Sequence, residues 1–399
     1  MSQIRLWIEF NERSTTARRW KPIYLMLIVC VIAATTALAQ GQAPRSPTPE
    51  SVKGLVDVQT IAKGLEHPWG LAFLPDKRML VTERPGRLRI VAPDGRVSEP
   101  LAGVPQVYAS GQGGLLDVAL SPGFAKDRLV YLSFAESSEG RRGTALARGR
   151  FGESGLENTQ VIWRQQPKVS GTNHWGSRIV FRPDDTLFVT LGDRFNYSER
   201  AQDLSTTIGK IIRINPDGST PRDNPLVGRN GALPEIWSYG HRNVQAATLH
   251  PETGQLWTVE HGARGGDELN HPEAGKNYGW PVISYGTHYS GFKIGEGTAK
   301  AGMEQPVYYW DPVIAPSGMV VYTGDLFTGW KHNILIGSLT PGGLVRLVMK
   351  GRQVAKEERY LGHLGERIRD VVQAPDGSLY LLTDARNGQI LRITPAKGN

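Results

Sequence analysis

The chain has 399 residues, which is enough for two or three ordinary domains or for one array of repeats. Its 47 glycines and 26 prolines, with 21% charged residues, favour a turn-rich all-β protein over a helical one. The formal net charge is +8, and residues 1–39 hold five basic and two acidic residues, so +5 lies in the rest. This charge is scattered without a basic stripe, which argues against nucleic acid as a partner.

The first 39 residues have the pattern of an export signal. Three basic residues, ending at Lys21, precede an apolar run over residues 23–34, and Ala39 ends a small-residue cleavage site. We therefore predict a signal peptide over residues 1–39, a periplasmic or secreted protein, and no membrane span in the mature form. A retained membrane anchor is the alternative. Cys30, the single cysteine, lies in this segment, so the mature chain has no disulfide or thiolate chemistry.

Residues 40–54 are rich in Gly, Pro and Ser, and this composition predicts a disordered linker before a domain over residues 55–396. Residues 56–61 alternate between apolar and polar, as a strand does, but they precede the first complete repeat.

A short antiparallel meander then recurs six times. Each copy has two alternating apolar runs around a polar turn, and the copies span residues 69–83, 117–134, 177–193, 245–260, 318–338 and 369–383. The last copy continues through an Asn-Gly turn into a third strand at 389–393. Repeats of this size are typical of propeller blades. We predict a six-bladed β-propeller of four-stranded antiparallel blades, closed by residues 56–61 beside residues 389–393.

The loops between the repeats carry unusual polar residues, and a propeller gathers such loops at one end of its channel. His174 directly precedes a strand, as do Arg242 and Asn243. Arg367 and Arg369 alternate along a strand, so both point to one face, where two guanidinium groups favour a polyanion. A lone histidine is more often structural, and paired arginines can form a solvated face.

An acidic loop follows the fourth repeat. Asp267, Glu268 and Asn270 lie near exposed glycine carbonyls and supply the hard oxygen donors that Ca²⁺ prefers. The spacing is not that of an EF-hand, and a hydrogen-bonded loop without metal explains the pattern equally well.

Seven of these segments together resemble the glucose/sorbosone dehydrogenase family, and within it the soluble aldose sugar dehydrogenases that depend on pyrroloquinoline quinone (PQQ). The resemblance extends over residues 55 to about 395, and the segments occur in the family's order. They are Gly-Gln-Gly-Gly-Leu-Leu from Gly111, Asn-His-Trp-Gly-Ser-Arg from Asn173, Trp-Ser-Tyr-Gly-His-Arg-Asn from Trp237, Glu-His-Gly-Ala-Arg-Gly-Gly-Asp-Glu-Leu-Asn from Glu260, Asn-Tyr-Gly-Trp-Pro from Asn277, Ala-Pro-Ser-Gly-Met from Ala315 and Arg-Ile-Arg-Asp-Val-Val from Arg367. The family is a six-bladed propeller, in agreement with the repeat count.

The resemblance implies roles for particular residues. His174 matches the general base that takes the proton from the C1 hydroxyl of the sugar. Arg242 and Asn243 match residues beside the quinone oxygens, and Gln112 matches a residue of the same pocket. The arginine pair at positions 367 and 369 matches the pair that holds the cofactor's carboxylates.

The resemblance also implies two Ca²⁺ sites. The backbone carbonyls of Gly262 and Ala263 match those that bind the cofactor's ion, which acts as a Lewis acid. Glu268 and the Tyr278 carbonyl match a second, structural site.

Two positions of the predicted cofactor site depart from the family pattern. Asn173 stands where some members carry an aspartate beside the base, which leaves the partner that orients His174 open. Thr340 stands where the family often has a lysine that contacts the cofactor, and one cation fewer would weaken cofactor binding.

Two other functions are compatible with such a propeller. One is a calcium-dependent lactonase, which would centre its metal on side-chain carboxylates and would not need paired arginines. The other is a non-catalytic propeller that binds carbohydrate or a protein. The base and the arginines together favour a dehydrogenase that passes electrons from an aldose to an acceptor that remains unidentified.

Overall fold

The computed structural model describes residues 49–396, which form six antiparallel sheets arranged as the blades of a propeller. The innermost strands of successive blades contact each other around a ring, and the ring closes where blade 6 meets blade 1. The predicted six-bladed propeller is confirmed. Each of the six predicted meanders forms the two innermost strands of one blade.

Each blade of the first half of the ring runs outward from its innermost strand. Blade 1 contains β3 (Pro68–Phe73), β4 (Met79–Glu83) and β5 (Arg87–Val91). Blade 2 contains β6 (Leu115–Leu120), β7 (Leu129–Ser138), β8 (Arg141–Phe151) and β9 (Leu156–Arg164). Blade 3 contains β10 (Ile179–Phe181), β11 (Leu187–Thr190), β12 (Lys210–Ile214) and β13 (Ile236–Tyr239).

The second half of the ring follows the same order. Blade 4 contains β14 (Val244–Leu249), β15 (Leu256–Glu260), β16 (Asp267–Asn270) and β17 (Tyr308–Trp310). Blade 5 contains β18 (Pro316–Val321), β19 (Ile334–Ser338), β20 (Gly343–Lys350), β21 (Gln353–Tyr360) and the outermost β1 (Glu50–Ser51). Blade 6 contains β22 (Ile368–Gln373), β23 (Leu379–Thr383), β24 (Gly388–Pro395) and the outermost β2 (Val56–Leu65).

The ring is closed by the N-terminal strand, as predicted. Strand β2 runs antiparallel to β24, with Val58 opposite Ile393. Its last residues also enter the core, because Ala62 and Leu65 pack with Ile390 between blades 6 and 1. The pairing covers the free edge of β24 and leaves β2 as the outermost strand of the last blade.

Two blades do not have the predicted number of four strands. Blade 1 has three strands, and in place of a fourth the chain makes a single bridge from Val91 to Val97. Blade 5 gains β1, which pairs in parallel with β21, and Lys356 forms a 2.5 Å ion pair with Glu50. Residues 50 and 51 fall within the predicted linker over residues 40–54, yet they form a strand that covers a sheet edge. The predicted signal peptide over residues 1–39 and the linker up to residue 48 lie outside the described residues.

Helix contributes little to the described part of the chain. It comprises α1 (Phe124–Asp127) and two 3₁₀ turns, Ser198–Ala201 and Gly362–Leu364. Within residues 49–396 no helix has the length and apolar character needed to cross a membrane.

The Pro-Asp-Gly turn between β22 and β23 illustrates how the repeats fold. Gly377 donates its N–H to the Ala374 carbonyl and has φ 82°, which a glycine adopts without strain. Asp376 caps the turn by accepting from the backbone and the hydroxyl of Ser378. The turn reverses the chain tightly, so that the apolar sides of both strands face the core between blades.

Candidate active site

A polar cavity of about 160 Å³ lies where the innermost strands of the blades begin. Its wall combines two tryptophan rings, three arginines, one carboxylate and several amides. The lining residues are Trp69, Arg84, Gln112, Leu116, Trp175, Gly176, Asn243, Gln245, His261, Ala315, Leu339, Arg367, Arg369 and Asp384. The residues come from loops and strand entries that are far apart in sequence.

His174 lies in the loop before β10, next to the cavity wall formed by Trp175 and Gly176. Its Nδ1 is 2.6 Å from Oδ1 of Asp193, which lies just after β11. Because β10 and β11 are antiparallel neighbours, the loop before one meets the loop after the other. Gly192 permits this approach, since a Cβ at that position would clash with the His174 carbonyl.

Asp193 is held from both sides. Its Oδ2 accepts a hydrogen bond of 2.8 Å from Nε1 of Trp280, and its Oδ1 accepts one of 2.8 Å from the backbone N–H of Phe195. The carboxylate that orients His174 therefore lies nineteen positions after it in the chain, and Asn173 does not serve in its place. The sequence signal that could have indicated it is the Gly-Asp pair after a buried strand of the same meander.

The pair is suited to proton uptake at neutral pH. Burial lowers the pKa of His174, and the hydrogen bond and charge of Asp193 act against that shift. Burial raises the pKa of Asp193, but the hydrogen bond and charge of His174, with the charge of Arg242, together outweigh burial, so the net pKa is below the ordinary value. The carboxylate thus accepts the proton on Nδ1, and the neutral imidazole presents the lone pair of Nε2.

Two of the predicted cofactor residues adjoin the base. Gln112 lines the cavity, and its Oε1 accepts a 2.8 Å hydrogen bond from the backbone N–H of His174. Asn173 does not line the cavity. Its carbonyl accepts from the guanidinium of Arg194, a buried residue stacked 3.4 Å from the centroid of the Trp175 ring.

Arg242 and Asn243 begin blade 4 beside the cavity. The backbone N–H of Arg242 donates to Oε2 of Glu260 at 2.6 Å, which fixes the start of the strand. Its guanidinium lies 5.1 Å from the centroid of the Trp280 ring and donates to the carbonyls of His261 and Gly262. Asn243 lines the cavity, and its Oδ1 accepts from the backbone of blade 3.

The two arginines of blade 6 point to the same face, as predicted, because both contact Asp384. Arg369 is 2.8 Å from Oδ2 of that carboxylate, and Arg367 is 3.4 Å from the same oxygen. Burial raises the pKa of Asp384, but the charge and hydrogen bond of Arg369, with the hydrogen bond to His67, together outweigh burial, so the pKa lies well below the usual range. Thr340 is exposed, does not line the cavity, and has its hydroxyl 3.4 Å from Nη1 of Arg367.

The predicted calcium ligands lie around a second, smaller space of about 10 Å³, lined by Gly262, Glu268 and Tyr278 among others. Ala263 does not line it. The Gly262 carbonyl accepts a hydrogen bond from Arg242, so that guanidinium must move before a cation can bind there. No cluster of three His, Cys, Asp or Glu side chains with metal-binding geometry occurs within residues 49–396. A metal here would therefore depend on backbone carbonyls.

Glu268 lacks a cation partner in the described part of the chain. Its carboxylate accepts from Nδ2 of Asn270 at 3.1 Å, and Oδ1 of Asn270 is buried without a hydrogen-bond partner. Burial, with a further contribution from the charge of Glu260, raises the pKa of Glu268 to about 8. A cation bound here would supply a counter-charge for Glu268 and a partner for Oδ1 of Asn270.

Several residues of the cavity were not found from the sequence. They are Trp69, Arg84, Trp175, Gln245, His261 and Asp384. His261 is fixed by a 2.6 Å contact between its Nε2 and the Pro316 carbonyl, and burial lowers its pKa to about 3, so it is neutral. Each of these residues looks like an ordinary core or loop residue until the blades are assembled.

Comparison with known proteins identifies close relatives. The family model described as Glucose / Sorbosone dehydrogenase matches residues 65–392. The chain is 46% identical over 346 residues to "Aldose sugar dehydrogenase YliI" of Escherichia coli (strain K12), covering 85% of this chain and 93% of that protein. A solved structure described as "Crystal structure of glucose dehydrogenase" is 51% identical with a TM-score of 0.83, covering 84% of this chain and 99% of that one. A solved structure of a PQQ-bound aldose sugar dehydrogenase from Streptomyces coelicolor is 30% identical with a TM-score of 0.71. The match covers 85% of this chain and 99% of that one.

Proposed function

Because the chain belongs to the glucose/sorbosone dehydrogenase family, we propose that it oxidises aldose sugars at C1 to the lactone, with PQQ and Ca²⁺ as cofactors. The observation that carries the proposal is the placement of the His174–Asp193 pair beside a cavity that contains three arginines. A hydride acceptor with several carboxylates suits that cavity, and a neutral imidazole suits removal of a hydroxyl proton.

The cavity residues fit PQQ in charge and in shape. Three arginines face one carboxylate in the wall, so the wall carries an excess of two positive charges. Nε of Arg369 is buried without a hydrogen-bond partner in the described part of the chain. Arg367 and Arg369 would hold carboxylates of the cofactor, and Trp69 and Trp175 provide flat walls for its planar rings. When bound, PQQ supplies the acceptor for the C1 hydride.

The protein's own contribution to the reaction is acid–base and electrostatic. Nε2 of His174 accepts the proton of the C1 hydroxyl, and Asp193 stabilises the imidazolium that forms. Arg242 places a fixed positive charge beside the reacting groups, where a developing negative charge is stabilised most. Asn243 and Gln112 hold the cavity wall in place through hydrogen bonds to the loop that carries the base.

Calcium enters the proposal at two places. The carboxylate of Glu268, the unpartnered Oδ1 of Asn270 and the small adjoining space support a structural ion there, with the Tyr278 carbonyl as a further ligand. An ion at the Gly262 and Ala263 carbonyls, placed to polarise a bound quinone, requires that Arg242 release Gly262.

The test is reconstitution. Purified protein is mixed with PQQ and Ca²⁺, and reduction of an artificial dye is followed with glucose and with other aldoses. We expect dye reduction that needs both the cofactor and the sugar. Binding of PQQ without turnover on any aldose would instead support a non-catalytic propeller. Lactone hydrolysis without PQQ would support the lactonase.

The location in the cell is also a proposal. The basic, apolar and small-residue pattern of residues 1–39 supports export by a cleavable signal peptide, and thus a periplasmic or secreted enzyme. N-terminal sequencing of the mature protein tests it, with a start at Gln40 expected.

A further inference from the structure

Arg84 is a third arginine in the wall of the main cavity, and neither the repeat pattern nor the family motifs pointed to it. It follows β4 directly, in the turn that leads to β5 of blade 1. It faces the same cavity as Arg367 and Arg369, which come from blade 6 on the other side of the ring closure.

The backbone of Arg84 is held tightly. Its N–H donates to the carbonyl of His67 at 3.1 Å, and its carbonyl accepts from the N–H of Leu115 at 3.0 Å. Gly114 allows the second contact, because a Cβ there would clash with the Arg84 carbonyl. These two hydrogen bonds fix the direction in which the side chain leaves the backbone, on the side of the cavity that it lines.

The guanidinium of Arg84, by contrast, makes few contacts with the rest of the protein. Within residues 49–396 it donates one hydrogen bond, of 3.3 Å, to the Gly111 carbonyl, and it forms no ion pair with a carboxylate. A guanidinium group has five N–H donors. The charge of Arg84 nevertheless acts on Arg369, which lines the same cavity. Burial is the main reason why the pKa of Arg369 is lowered, and the positive charge of Arg84 adds to that effect.

The cavity wall has more positive than negative side chains, which leaves Arg84 available to bind an anion. Among the described residues Asp384 is the single carboxylate of the wall, and Arg369 already pairs with it at 2.8 Å. Arg367 and Arg84 are therefore left without a full counter-charge. At the position where the family often has a lysine this chain has Thr340, which is exposed and does not line the cavity.

We propose that Arg84 binds a carboxylate of PQQ and replaces the cation missing at Thr340. The inference rests on the proposed function, since it assumes that PQQ is the ligand of this cavity. It adds a cation from blade 1 to the two that blade 6 contributes. Cations on both sides of the ring closure would then share one bound polyanion.

The test is equilibrium binding of PQQ to the metal-supplemented apoprotein, followed by the absorbance of the quinone, so that no turnover is needed. Arg84→Gln should weaken binding by about 10- to 100-fold, the range for loss of a hydrogen bond between charged groups. Arg84→Lys keeps the charge but not the planar fork of donors, so it should weaken binding less than Arg84→Gln does. The matched control is Arg96→Gln, which alters an exposed arginine of the same blade that pairs with Asp94.

A rescue experiment separates charge from structure. Thr340→Lys in the Arg84→Gln background should recover part of the lost affinity, because Thr340 lies 3.4 Å from Arg367, which lines the cavity, and a lysine side chain at that position extends further toward it. A structural defect of the turn would not be repaired from blade 5. If Arg84→Gln does not fold by circular dichroism, Arg84→Met, which keeps the aliphatic stem, takes its place.

The outcomes are distinct. Equal affinity of Arg84→Gln and Arg96→Gln would overturn the role of Arg84 and leave the proposed function intact. Weakened binding without rescue by Thr340→Lys would also overturn it, in favour of a tether for the Gly111 loop. A wild-type protein that binds no PQQ would overturn the proposed function and this inference together.

Discussion

At the scale of single residues, the site separates the group that moves a proton from the groups that hold charge. His174 contacts Asp193 and is not part of the cavity wall, whereas Arg367 and Arg369 lie in the wall beside Asp384. Proton removal matters mainly in the transition state, but carboxylate anchoring acts in the ground state as well. The two kinds of residue should therefore fail in different ways when they are replaced.

His174→Ala should lower turnover by about two to four powers of ten, the range of positioned general-base catalysis, and leave PQQ affinity nearly unchanged. Arg369→Ala should weaken PQQ binding by about 10- to 100-fold and retain measurable turnover at saturating cofactor. Titration of PQQ into each variant, followed by turnover at saturation, checks both. Equal losses of affinity and turnover in both variants would contradict this division of roles, and full activity of His174→Ala would contradict the mechanism.

Asp193→Asn should change the pH dependence as well as the rate. The carboxylate raises the pKa of His174 against the lowering effects of burial and of two nearby arginine charges, so its removal leaves those effects unopposed and lowers that pKa further. The base stays neutral to more acidic pH, and the acid limb of the kcat/KM profile moves to lower pH. Turnover should fall by roughly 10²-fold, because the imidazolium loses its counter-charge.

The control for this change is Asp217→Asn, which removes an exposed carboxylate from a turn in blade 3. It should leave the profile in place. An acid limb of Asp193→Asn that moves to higher pH would mean that another group determines the protonation of the base.

At the scale of elements, the strand that closes the ring combines an exposed half and a buried half. Val58 is 37% exposed opposite Ile393, whereas Leu65 is fully buried with Leu382 and Ile390. The alternation seen from residue 56 to residue 61 therefore identifies the first half of β2, and the second half continues the pairing with β24 and anchors blade 6 against blade 1. Closure of the propeller ring depends on both parts of β2.

Leu65→Ala should lower the free energy of unfolding by about 2–5 kcal/mol, because it opens a cavity between two blades. Val58→Ala, on the exposed part of the same strand, should stay within about 0.5 kcal/mol of the wild type. The midpoints of urea unfolding, compared between variants with equal m-values, check both predictions. A larger cost for Val58→Ala than for Leu65→Ala would indicate a different register of β2 on β24.

At the scale of the whole molecule, a buried ion cluster joins the blades under the cavity. Arg178 of blade 3 lies 2.8 Å from Asp117 of blade 2 and 3.3 Å from Asp370 of blade 6, and its guanidinium stacks on Trp69 of blade 1 at 4.5 Å. Burial raises the pKa of Asp117 to about 6. Four blades thus converge on one guanidinium, which is linked to the cavity wall through Trp69.

Removal of calcium should lower the stability of the whole propeller. An ion that binds only the folded state stabilises it by mass action, on the order of 2.7 kcal/mol when the free ion is 100-fold above its Kd. A chelator should therefore lower the Tm of the wild type. Glu268→Gln should abolish this dependence, and Glu273→Gln, an exposed acid after β16, should preserve it. An unchanged Tm after complete removal of calcium would rule out the structural ion.

Much of the fold of this protein was determined by local sequence alone. Alternation with a period of two, interrupted by turn residues, specified the six hairpins, because each hairpin is formed by residues close in the chain. The placement of β2 followed from a simple count, since the last repeat had three strands and one strand remained unassigned. His174, Arg242, Arg367 and Arg369 were found because they stand at strand entries within recognisable segments.

Only the tertiary structure decided which residues face one another across the ring. Asp193, Asp384 and Arg84 lie at strand ends that look unremarkable in sequence, and they meet the base or the arginines only when the blades are arranged in a circle. The same holds for β1, whose pairing depends on the free edge of a sheet some 300 residues further along the chain. Sequence periodicity reports which side of a strand is buried, but the partner across the channel is set by ring closure, a property of all six blades together.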